Sequence, residues 1–106
     1  SCCKRGGKMD KEEAKRILCG VEGERCFWVN NGPVLKNLEE LYAALSEMGK
    51  DTFSHHVSKD KNDFSAWIRE VLGDQKLAED IAKASSRKGM ASKVRQRVQY
   101  LKKAAA

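Results

Sequence analysis

A chain of 106 residues, 41% apolar and 34% charged, has room for one domain with a modest core. Its apolar runs, such as Cys26-Phe27-Trp28-Val29, fall far short of the roughly 20 residues that cross a bilayer, and no export signal opens the chain. The formal net charge of +6 sits in the last fifth: all 15 acids precede Ser85, while Arg87, Lys88, Lys93, Arg95, Arg97, Lys102 and Lys103 follow it. These features point to a cytoplasmic protein without a membrane partner, one whose polarised charge attracts polyanions.

In chain order, Met9 followed by Asp10-Lys11-Glu12-Glu13 reads as a natural start with a capped helix behind it. Residues 1–9 are therefore set apart as a leader or cloning remnant, and residues 10–106 as a single helical domain. Asp10 with Glu13 forms a capping box, Ala14, Ile17, Leu18 and Val21 recur at helical spacing, and Gly20 is a stop. The segment Cys26-Phe27-Trp28-Val29, closed by the turn signal Asn30-Asn31-Gly32-Pro33, is the one strand candidate. With no strand in view to pair with it, it is expected to be an extended aromatic segment lying on helices.

A second capping box, Asn37 with Glu40, precedes the stripe Leu38, Leu41, Tyr42, Leu45 and Met48. Asp51 can open a short helical turn with Phe53, His56 and Val57 on one face. Asn62 or Asp63 caps the clearest helix, in which Phe64, Trp67, Ile68, Val71 and Leu72 fall on one side before Gly73. Asp74 caps the next, with Leu77, Ala78, Ile81 and Ala82 facing inward. After Ser85-Ser86 a basic helix runs over about 87–103, weakened or interrupted at Gly89. The expected fold is all-α, a small bundle of about five helices near 10–19, 37–48, 63–72, 74–84 and 87–103. Its core should hold Ile17, Leu38, Leu41, Leu45, Phe53, Phe64, Trp67, Ile68, Val71, Leu77 and Ile81.

The block from Phe27 to about Ile81, and above all Asn62-Asp63-Phe64-Ser65-Ala66-Trp67-Ile68, resembles a mainly archaeal family of small helical domains of unknown function. The resemblance implies a helical fold and no activity. The cysteines at the front and the basic tail lie outside it.

The basic helix admits three readings. Met90, Ala91, Val94, Val98 and Leu101 form a stripe that can face a core, with Lys93 and Arg97 on one flank and Lys88, Arg95 and Lys102 on the other. That stripe explains the helix without a ligand. The acid-free run of cations also suits RNA or DNA backbone, with Arg87, Lys88, Lys93, Arg95, Arg97, Lys102 and Lys103 as the contacts. An anionic membrane surface is disfavoured, because the stripe lacks Trp and Phe and the bundle needs it. A helix-turn-helix drawn over Leu77 to Leu101 lacks the usual glycine in its turn.

Other constellations are weaker. Cys2, Cys3, Cys19 and Cys26 do not have the paired spacing of a zinc site, so no metal or cofactor is expected. His55 and His56 are neighbours that cannot point the same way, and His56 reads as a packed or capping residue. Glu12-Glu13 and Glu39-Glu40 suit helix first turns. Asp60, Asp63 and His56 come near one loop without a nucleophile, so no catalytic residue is assigned. The expectation is a non-enzymatic, nucleic-acid-associated protein. The alternative is a protein-docking module that uses the Phe27-Trp28 segment or the bundle itself.

Overall fold

The computed structural model describes residues 10–30, 32–84 and 86–106. The cysteines Cys2 and Cys3 and the proposed leader lie outside the described residues. In order, the elements are α1 (Lys11–Cys19), a 3-10 turn (Gly23–Arg25), β1 (Phe27–Trp28), β2 (Val34–Leu35), α2 (Leu38–Glu47) and α3 (Lys50–His56). Then follow α4 (Asp63–Trp67), running directly into a π-helical turn (Ile68–Leu72), α5 (Gln75–Lys83) and α6 (Arg87–Ala105).

Capping sets most of these limits. Asn37 Oδ1 accepts from Glu40 N at 2.9 Å, Asn62 Oδ1 from Ser65 N at 3.0 Å, Asp74 Oδ1 from Leu77 N at 3.2 Å and Ser86 Oγ from Gly89 N at 3.0 Å. The box expected at Asp10 does not form: Asp10 makes no side-chain cap bond, and Glu13 instead meets Arg16 at 3.7 Å. Gly89 does not interrupt α6. It lies in the first turn, where its N–H is the donor that Ser86 caps, so its poor helix propensity costs little there.

α6 is the axis of the bundle, with α1, α2 and α5 packed around it. Its stripe of Met90, Ala91, Val94, Val98 and Leu101 is buried, as the core-facing reading requires. Ile17, Leu38, Leu41, Leu45, Phe64, Trp67, Ile68, Leu77 and Ile81 are also buried, whereas Phe53 and Val71 sit half-buried at the margin. Val71 is displaced by the π turn, in which Gly73 N and Asp74 N both donate to Ile68 O, at 2.8 and 3.1 Å. The wider turn breaks the 3.6-residue period on which the expected placement of Val71 rested.

The aromatic segment does have a partner. β1 pairs antiparallel with β2, Phe27 opposite Leu35 and Trp28 opposite Val34. Alternation then splits the aromatic pair: Phe27 and Leu35 turn inward, Trp28 and Val34 outward. Gly20, at φ +84°, lets the chain pass the second strand's end, since a Cβ there would collide with the Lys36 carbonyl oxygen.

Candidate nucleic-acid interface

At 100° per residue, Lys88, Arg95 and Lys102 lie within about 40° of one another on α6, and steps of seven residues space them about 10.5 Å apart. All three are exposed. α2 runs antiparallel along this edge, placing Glu39 beside Lys102 and Ser46 beside Arg87. Glu39, Tyr42 and Ser46 follow at i, i+3 and i+7 and form the facing wall.

Two depressions open between the helices. One, of about 230 Å³, is bordered by Glu39, Tyr42, Arg95, Val98, Gln99 and Lys102. The other, of about 300 Å³, is bordered by Tyr42, Ser46, Arg87, Lys88, Ser92 and Arg95. Tyr42 and Arg95 belong to both and form the saddle between them. Tyr42 is half-buried, its ring partly packed on the core.

The seven cations expected to act together are distributed differently by the fold. Arg87 donates to the carbonyl oxygens of Leu45 and Ser46, satisfying the C-terminal end of α2. Lys102 Nζ meets Glu39 Oε2 at 2.6 Å, but both side chains are more than half exposed, so the pair is weak and exchangeable. Arg97 does not join the groove. On the opposite edge it makes a bidentate pair with Asp74, Nε to Oδ2 at 2.8 Å and Nη2 to Oδ1 at 2.9 Å, where Asp74 is 1% and Arg97 15% exposed. Lys93 is on that far side too, and Lys103 faces outward; both are exposed. Among the described residues, Lys88, Lys93, Arg95 and Lys103 have no ion-pair partner.

Tyr42, Ser46 and Ser92 are groove residues that sequence reasoning does not find. Tyr42 reads as one more member of the apolar stripe of α2. Its spacing with Glu39 and Ser46 becomes a signal only once α2 is known to flank the basic edge of α6.

The aromatic segment gives two different residues. Phe27 is buried, its ring 4.8 Å from Phe64, 4.9 Å from His56 and 5.7 Å from Trp67, centroid to centroid. Trp28 is 65% exposed, beside Val34 at 38%. His56 is buried as a packed residue. The Asn30 N–H donates to its Nε2 at 3.0 Å, so the ring hydrogen sits on Nδ1, 3.0 Å from Asp63 Oδ2. An Asp–His pair can serve a nucleophile, but here the backbone of Asn30 occupies the ring nitrogen that would do so. The ring ties the tip of the hairpin to α3 and α4.

Cys19 is an exposed and Cys26 a buried free thiol, and no group of three or more metal-ligating side chains gathers among the described residues. No helix among them is long and apolar enough to cross a membrane.

Residues 32–101 match the model of a family described as a family of unknown function, DUF5752. The match begins after β1 and runs through nearly all of α6, so it extends further toward the C-terminus than the resemblance read from Phe27 to Ile81. Both walls of the groove fall inside it except Lys102, one residue past its end, and Trp28 falls outside. No curated protein and no solved structure matches the chain.

Proposed function

The chain belongs to that family, which brings no activity with it, and we propose that it is a cytoplasmic, non-enzymatic protein that binds RNA or DNA by the phosphate backbone. The observation that carries this reading is the exposed, collinear set Lys88, Arg95 and Lys102 on a helix without a single acid. Cations at regular intervals along a rigid rod displace condensed counterions from a polyanion, and the hydroxyls of Ser46 and Ser92 can add neutral contacts. The occupied ring nitrogen of His56 supports the non-enzymatic part.

Replacing Lys88, Arg95 and Lys102 together by Gln tests it. Gln keeps helix propensity and these positions face solvent, so the fold should persist. Binding should weaken to a similar degree for all sequences. The log–log salt dependence should flatten by up to about 2 units on single strands and about 3 on duplex. Lys93→Gln, on the opposite edge, should change much less. A triple variant that binds like the parent at low salt sinks the proposal.

Trp28 favours a second reading, a protein-docking module, since it is a large exposed aromatic beside an exposed valine. Trp28→Ala should leave the melting temperature within about 4 °C of the parent. On this reading it loses any protein that co-purifies with the parent, while the glutamine triple retains it. The reverse pattern would return the partner to α6.

A further inference from the structure

The groove holds an aromatic ring as well as charge, and that combination distinguishes between kinds of nucleic acid. We propose that the α2–α6 groove takes a single strand, RNA or DNA, with a base against the Tyr42 ring and the backbone running along Lys88, Arg95 and Lys102. This rests on the reading of α6 as a phosphate-binding helix.

Three observations support it. Tyr42 lies half-buried between two packed helices, at the saddle of the groove. A duplex is convex and keeps its bases stacked inside, so it can meet the cations on the ridge but cannot lay a base face on that ring. A splayed single strand can do both. Second, depressions of about 230 and 300 Å³ flank Tyr42. A cavity of about 150 Å³ already holds a benzene ring, so each depression has room for a base. Third, Arg95 borders both depressions and has no ion-pair partner among the described residues, so its guanidinium is available for a phosphate or a base face. Gln99 offers an amide to base edges from the same wall.

Glu39 supplies a further consequence. Its carboxylate holds Lys102 at one end of the groove, and an arriving phosphate must replace it. Removing that competitor should tighten binding, an effect that a merely damaged surface would not produce.

The test is the anisotropy of labelled oligouridine, oligothymidine and a short duplex with the full chain, at two salt concentrations. Single strands should bind more tightly than the duplex. Tyr42→Leu, which keeps apolar packing but removes the aromatic face, should lose roughly 5- to 100-fold on single strands with an unchanged salt slope, and little on duplex. Tyr42→Phe should bind within about twofold of the parent. Glu39→Gln should bind a few-fold more tightly, with a slope steeper by about 0.7. If the Lys88, Arg95 and Lys102 triple loses binding while Tyr42→Leu holds single strands as the parent does, the single-strand proposal is overturned and the backbone reading stands. If the parent binds none of the three probes, both fail. Where the single strands bind, oligouridine against oligothymidine tells RNA from DNA.

Discussion

Asp74→Ala is expected to lower stability by about 3–5 kcal/mol, measured by urea unfolding, because it leaves the Arg97 guanidinium buried without its counter-ion. Asp74 is 1% exposed, accepts two hydrogen bonds from Arg97 and caps α5 by accepting from Leu77 N. The cap accounts for about 1 kcal/mol of the loss and the stranded cation for most of the rest. Asp74→Asn keeps an oxygen for the cap and should fall in between. Combining Asp74→Ala with Arg97→Met removes both charges and should recover a large part of the loss, because a well-packed apolar replacement avoids burying an unpaired ion. If Asp74→Ala and the double variant unfold alike, the pair is not what holds α5 to α6.

Trp67→Ala should cost a similar 3–5 kcal/mol by a different route, cavity formation. The indole is 7% exposed and stands edge-on to Phe27, and its Nε1 donates to Arg25 O at 2.8 Å. Truncation therefore opens a void between α4 and the hairpin and also leaves the Arg25 carbonyl oxygen without that donor. Trp67→Phe fills most of the void and isolates the hydrogen bond, for an expected loss of about 1–2 kcal/mol beyond any packing change. Thermal melts of the two variants measure the split. A shift too small to detect for Trp67→Ala would mean that the ring is not part of the core.

The helical skeleton is legible because its signals are local. Asn62, Asp74 and Ser86 cap where their chemistry suggests, Gly73 closes at φ +82°, and the apolar periods of α2, α5 and α6 face the core, except that Ala82, expected to face inward, is exposed near the end of α5. What is not legible is what depends on distant partners. Val34-Leu35 is two residues long, too short to show any period, and exists as a strand only through β1. Arg97 reads as a surface cation because the flank of an apolar stripe is where cations usually lie; its partner, Asp74, sits 23 residues away. The same blindness hides Tyr42. Helical periodicity says which face of α6 is basic, but not which helix lies beside that face. Of the candidate site, the cations were readable and the aromatic was not. His56 was expected as a packed or capping residue beside Phe53 and Val57; it is packed, and the sequence does not show that its ring also meets Phe27 and Phe64.

The π turn at Ile68–Leu72 has a consequence for spacing along the chain. It places one more residue in the turn than an α-helix would, and Asp74 follows immediately after it. Wound as an ordinary α-helix, the same residues would rotate all that follows by about 100° more. The carboxylate that meets Arg97 would then swing to a different side of the bundle. Asp74 is thus aimed by a count as well as by its identity, and the irregular turn works as a one-residue spacer between the aromatic core and the buried ion pair.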